Sequence, residues 1–162
     1  MNGHDMNPQA IADHVAVAMM REDRACQALG IAVASIAPGR AVMTMTVRPD
    51  MLNGFGICHG GLIATLADSA FAYACNAYNE LTVASGLSVD FLAPGREGDL
   101  LTAAAEEVSL AGRTGVYDVT VTNQRGERIA VFRGRSHRMK GRPTVPPAAR
   151  PRPTAARRKR PP

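Results

Sequence analysis

The chain of 162 residues has no tryptophan, few aromatic residues (4%), and only three cysteines, Cys26, Cys58 and Cys75. An odd number cannot all pair within one chain. No C-x-x-C is present and the surroundings are apolar, which predicts reduced thiols and a cytoplasmic protein. The N-terminal run Met1-Asn2-Gly3-His4-Asp5 has neither a basic n-region nor an apolar h-region, which argues against secretion. The longest stretch free of Asp, Glu, Lys and Arg, Met51 to Ala67, contains Asn53, His59 and four glycines and is unsuited to a membrane span. G-x-x-x-x-G-K-[ST] and G-x-S-x-G are both missing, so neither nucleotide hydrolysis nor serine-hydrolase chemistry has support. The four histidines (His4, His14, His59, His137) have no ligand spacing with Cys or acids, and no metal or other cofactor is expected.

Positive charge is also scarce where it would matter. The formal net charge is +5, but residues 141–162 hold six Arg, one Lys and no acid, hence +7. The remaining 12 basic residues face 14 acids, so residues 1–140 carry −2. A folded nucleic-acid-binding surface does not follow from that split, and nucleic acid is not an expected partner. Seven of the eleven prolines also fall in 141–162. The expected organisation is one domain over 1–140 with a disordered basic Pro/Arg tail over 141–162.

Hydrophobic residues make up 46% of the chain, enough for one packed domain. Residues 7–22 read as a helix, with Ile11, Val15, Ala18 and Met19 at helical spacing and Pro8 in the first turn. Ala25 to Leu29 adds a turn stopped by Gly30, and strands are expected at Ile31–Ile36 and Arg40–Arg48 around Pro38-Gly39. Gly61 to Asn76 is apolar nearly all round and reads as a buried helix. Thr82–Phe91, Asp99–Leu110, Gly115–Asn123 and Ile129–His137 read as four consecutive strands of an antiparallel meander. The class is α+β, a sheet wrapped around one helix.

The chemistry concentrates between Asn53 and Asp68. Gly60 and Gly61 open a helix whose first N–H groups lack intrahelical partners and whose dipole favours negative charge. Such an end can hold an anion or polarise a carbonyl becoming an oxyanion; equally, the glycines permit a tight approach to a buried helix. Asp68 interrupts an otherwise apolar helix, either as a general base or nucleophile or as a structural carboxylate. It lies seven residues beyond Gly61, about 10.5 Å along the helix. One carbonyl cannot reach both. If they cooperate, Asp68 must come from a second, antiparallel copy, and the site lies in a homodimer interface. His59 adjoins Cys58, but neighbours on a tight turn rarely face each other, so His59 is the better donor to Asn53 or to a substrate carbonyl.

The run Met51-Leu52-Asn53-Gly54-Phe55-Gly56-Ile57-Cys58-His59-Gly60-Gly61, followed by Leu66-Ala67-Asp68-Ser69-Ala70-Phe71-Ala72-Tyr73-Ala74-Cys75-Asn76, resembles the signature of the PaaI-type hotdog thioesterases of phenylacetate degradation. Val89-Asp90-Phe91-Leu92-Ala93-Pro94-Gly95, Gly115 to Val119 and Phe132 to Arg138 agree with it, and the likeness covers residues 8 to about 140. It implies a hotdog fold, dimers or tetramers with interfacial sites, and hydrolysis of acyl-CoA, in this branch phenylacetyl-CoA or its ring-hydroxylated forms. It also implies that Asp68 is the catalytic carboxylate and that the Gly60 N–H polarises the carbonyl. Asn53 and His59 position carbonyl or water, Gly61 lies at the substrate, and Ser85 orients water. Arg133, Arg135 and Arg138 could meet coenzyme A phosphates or simply form a solvated edge. Glu22 and Asp23 stand where some family members present Asn. A non-catalytic acyl-CoA binder and a hotdog hydratase are the alternatives.

Overall fold

The computed structural model describes residues 7–145. Helix α1 (Pro8–Glu22) is capped by Asn7, whose side chain accepts from the Ala10 N–H, and α2 (Arg24–Leu29) ends at Gly30 with φ 68°. Strands β1 (Ala32–Ala37) and β2 (Arg40–Thr46) form a hairpin; a 3₁₀ turn (Pro49–Met51) leads into α3 (Gly60–Asn76). Then come β3 (Thr82–Phe91), β4 (Leu100–Ala111), β5 (Thr114–Thr122) and β6 (Arg128–Arg138). All are within two residues of the sequence boundaries.

The six strands form one antiparallel sheet in the order β1-β2-β4-β5-β6-β3. The expected four-strand meander is corrected here. It holds for β4, β5 and β6, but β3 pairs with β6, Leu87 opposite Gly134, and not with β4. Both edges of β4 are taken, by β2 and β5, so β3 can only join the far side. The Leu92–Asp99 connection then crosses from one part of the sheet to another. Asp99 anchors it. Its buried carboxylate accepts from the Arg96 N–H at 2.8 Å, Gln124 Nε2 at 2.9 Å and Arg125 Nη1 at 3.0 Å. Burial pushes the Asp99 pKa up, but these bonds outweigh it and leave the group below its usual value.

Helix α3 lies across the inner face of the sheet. Leu66, Ala67, Ala70, Phe71, Tyr73 and Ala74 are buried against Met43, Met45, Leu101, Ala103, Val119 and Phe132. Burying one large apolar side chain of this kind contributes about 1.5–3 kcal/mol. Phe71 stacks at 5.5 Å from Tyr117 and 5.8 Å from Phe132. Its ring also lies where a Cβ at residue 134 would be, 2.9 Å away, so the strand there requires glycine. At the C-terminal end of α3, Tyr78 and the buried Tyr117 both donate to Glu107 Oε2, at 3.0 and 2.8 Å. This bond set ties the helix end to β4 and β5.

The folded part also extends past the expected boundary at residue 140. Leu81 donates to the Arg142 carbonyl, Thr144 Oγ1 to Asn76 Oδ1 at 2.7 Å, and the Val145 N–H to Asn79 Oδ1 at 2.9 Å. Backbone and side-chain bonds to the end of α3 and to the connection that follows it hold 141–145 on the body, which the Pro/Arg composition did not suggest. Residues 146–162, the rest of the expected tail, lie outside the described residues.

Candidate active site

Residues 51–59 form a tight loop because their polar groups are used internally. The Asn53 N–H donates to the Ile57 carbonyl and the His59 N–H to that of Met51, both at 2.8 Å. Asn53 Oδ1 accepts from the Phe55 N–H at 2.9 Å and the Ile57 N–H at 3.4 Å, an Asx turn. Cys58 donates its N–H to the Gly95 carbonyl at 2.8 Å and so joins this loop to the β3–β4 crossover.

His59 caps α3. Its Nδ1 accepts from the Gly61 N–H at 3.2 Å, so the proton of a neutral ring is on Nε2. The His59 ring and the Asn53 amide therefore each organise their own segment, and no hydrogen bond joins them. What remains for a ligand is the Asn53 Nδ2 group, His59 Nε2 and the Gly60 N–H, which donates to no atom among the described residues. Gly61 has its N–H engaged by His59, so of the two glycines only Gly60 offers its N–H.

A recess of about 470 Å³ opens beside this helix start. Asn53 and Gly60 line it together with apolar Ile57, Cys58, Ile63 and the wall from Phe91 to Gly95. A mostly apolar cavity with two convergent hydrogen-bond donors suits an acyl group whose carbonyl oxygen meets the donors. Cys58 is no competing nucleophile. Its thiol is buried, its pKa is raised by burial, and its Sγ is 3.8 Å from the His59 carbonyl oxygen. Cys26 and Cys75 are likewise free and buried, with burial pushing them up to about 11 and about 12.

Asp68 is not in the recess. It is two turns along α3, on a face where Gly61, Ala64, Thr65, Ser69 and Ala72 are also not fully covered. The axial separation from Gly60 is about 12 Å, as helix rise requires. Its carboxylate has no hydrogen-bond or ion-pair partner among the described residues, and desolvation by burial raises its pKa. Ser85 is also away from the recess. It sits at the bulge between Ala84 and Gly86 and donates to the Arg135 carbonyl at 3.1 Å.

The arginines of β6 differ from one another. Arg133 makes a bidentate pair with Asp118, both contacts 2.7 Å. Arg138 pairs with Glu80 at 3.0 Å and lies over the Tyr78 ring at 5.2 Å. Arg135 lies against Gly86, within 2.7 Å of where a Cβ would be. Glu22 pairs with Arg21, and Asp23 caps α2 and accepts from the Tyr73 hydroxyl at 3.4 Å. Sequence reasoning missed Phe91 and the Leu92–Gly95 wall, because an exposed apolar residue at a strand end carries no local signal of what it faces. Among the described residues no cluster of three or more His, Cys, Asp or Glu could hold a metal ion, and no helix is long and apolar enough to cross a membrane.

Comparison with known proteins identifies the family and the fold. The family model of the thioesterase superfamily matches residues 55–130. The acyl-coenzyme A thioesterase PaaI of Escherichia coli is 50% identical over 124 residues, 76% of this chain and 89% of that protein. The solved structure of the E. coli PaaI protein, from the phenylacetic acid degradation operon, superposes with a TM-score of 0.82 at 47% identity, covering 84% of this chain and 99% of the other. A Streptococcus mutans protein solved bound to acetyl CoA superposes with a TM-score of 0.66 at 29% identity, covering 69% of this chain and 90% of that one.

Proposed function

The chain belongs to the thioesterase superfamily, with the hotdog fold, and we propose that it hydrolyses phenylacetyl-CoA or its ring-hydroxylated forms to the free acid and coenzyme A. It is an acyl-CoA thioesterase; the aromatic acyl group is the finer reading. That reading draws on the relative from a phenylacetic acid degradation operon and on the apolar lining of the recess.

The observation that carries the mechanism is the separation of the two reactive groups. Gly60 lines an acyl-sized recess with its N–H unused, while the Asp68 carboxylate, without a partner among the described residues, is on a partly covered helix face. In our reading a second copy of the chain closes the gap. The two α3 helices lie antiparallel, and Asp68 of one copy meets Gly60 of the other. The apolar edge of β3 supports such pairing: Val83 and Leu87 are 47% and 46% exposed on a strand with one free side. Whether dimers pair further into tetramers does not alter the site.

The thioester carbonyl oxygen accepts from the Gly60 N–H, with Asn53 Nδ2 as a second donor and the His59 ring beside it. Asp68 takes a proton from water, and the water oxygen bonds to the carbonyl carbon. Negative charge gathers on the oxygen held at Gly60, where the helix dipole stabilises it. The C–S bond then breaks, and the departing thiolate takes the proton from Asp68. Direct attack by the Asp68 carboxylate, with later hydrolysis of the anhydride, uses the same placement. Water and thioester are the only reactants, so no cofactor enters either route. The three buried thiols and the coenzyme A substrate support a cytoplasmic location.

Thiol release measured over a panel of acyl-CoAs tests this function. The expected result is the highest kcat/KM on phenylacetyl-CoA and its hydroxylated forms. A preference for straight-chain acyl groups overturns the aromatic reading and leaves the hydrolase class standing.

A further inference from the structure

The glycine at position 60 is held to that residue type by an aromatic ring. Phe91 is the last residue of edge strand β3, pairs only with Ala130 of β6, and is 51% exposed. A Cβ built at residue 60 would lie 2.9 Å from Phe91 Cζ, 3.1 Å from Cε2 and 3.3 Å from Cε1. The tip of the ring is therefore packed directly on the first residue of α3, next to its N–H. Leu92, Ala93 and Pro94 continue the same wall, opposite Ile57 and Cys58. Of the recess-lining residues, Phe91 alone is aromatic, and about half of its surface is exposed.

We propose that Phe91 is the specificity-determining residue for the acyl group: its ring forms the aromatic wall beside the carbonyl position and favours thioesters of arylacetic acids over short aliphatic ones. The inference rests on the thioesterase reading and deepens it. A ring packed against one face of the substrate ring, edge-to-face or offset, gives about a two- to tenfold gain beyond simple burial. The contact with Gly60 keeps that wall in register with the donor, so the ring position and the carbonyl position are fixed together. An acetyl group is too small to touch the exposed flank and gains nothing from it.

The test compares kcat/KM on phenylacetyl-CoA and acetyl-CoA for the unmodified chain and for Phe91→Ala and Phe91→Leu. Phe91→Ala is expected to lose about tenfold or more on phenylacetyl-CoA and Phe91→Leu about two- to tenfold, chiefly through KM, and both less than about threefold on acetyl-CoA. Phe91→Leu guards against a folding defect, since it keeps most of the apolar volume. An equal loss on both substrates, or an unchanged ratio in active Phe91→Leu, overturns this inference alone. Absence of thiol release by the unmodified chain overturns the thioesterase reading and the inference with it.

Discussion

Asp68→Asn is expected to lower kcat by about 10²- to 10⁴-fold while leaving substrate binding and fold in place. The substitution keeps the size of the side chain and removes its ability to take a proton or attack. Thiol release from phenylacetyl-CoA gives kcat, and calorimetry with the same thioester gives affinity. A non-catalytic acyl-CoA binder would bind alike before and after the change and release no thiol in either case. The pH profile adds a second reading. Burial raises the Asp68 pKa above the ordinary 3.8, and the reactive form is the carboxylate, so activity is expected to fall on the acid side at a pH above that value. The same shift fixes the sign of the stability effect. Protonated Asp68 is the form favoured by the folded chain, so its favourable contribution is complete below the unfolded pKa. It is lost as pH rises through the higher folded pKa. At neutral pH the ionised group is a burden, and Asp68→Asn is expected to raise the thermal midpoint there and to leave it nearly unchanged in strong acid. Lower activity with higher stability is the pattern of a residue kept for function.

Leu87→Arg is expected to convert an assembled protein to monomers and to lower kcat/KM at least about 100-fold, because a monomer holds Asp68 about 12 Å from its own Gly60. Leu87 is 46% exposed on the free edge of β3, so the change leaves the core of its own chain untouched. A charge on that edge opposes pairing with a second strand. Light scattering and far-UV circular dichroism, taken with the kinetics, separate loss of assembly from loss of fold. Monomers that keep full activity would place both reactive groups within one chain.

Much of this architecture is legible in local pattern. The buried α3 helix follows from its nearly unbroken apolar run, and β5 from the alternation of Tyr117, Val119 and Val121 with polar neighbours. The strand order is not legible that way. Nothing in Thr82–Phe91 says that β6 is its neighbour, because both faces of an edge strand and its partner are set by the rest of the sheet. The site divides along the same line. Gly60, His59 and Asn53 stand out because a glycine-opened helix and its preceding loop are local features. The distance from Gly60 to Asp68 needs only helix rise, and that suffices to ask for a second copy. Phe91 escapes such reasoning, since its meaning lies in a contact 31 positions away in sequence. The bonds of Thr144 to Asn76 at the end of α3 and of Val145 to Asn79 just beyond it escape it for the same reason.

The claim that the active site is shared between two copies is tested most directly by mixing two inactive variants. Asp68→Asn and Gly60→Val chains, carrying different tags, are co-expressed and the mixed dimers isolated. In a mixed dimer one site combines the intact Gly60 of the first chain with the intact Asp68 of the second, and the other site carries both defects. The account predicts about half of the native thiol-release rate per mixed dimer, from two nearly inactive parents. A mixed dimer no more active than its parents would place Gly60 and Asp68 in the same chain's site and contradict the account.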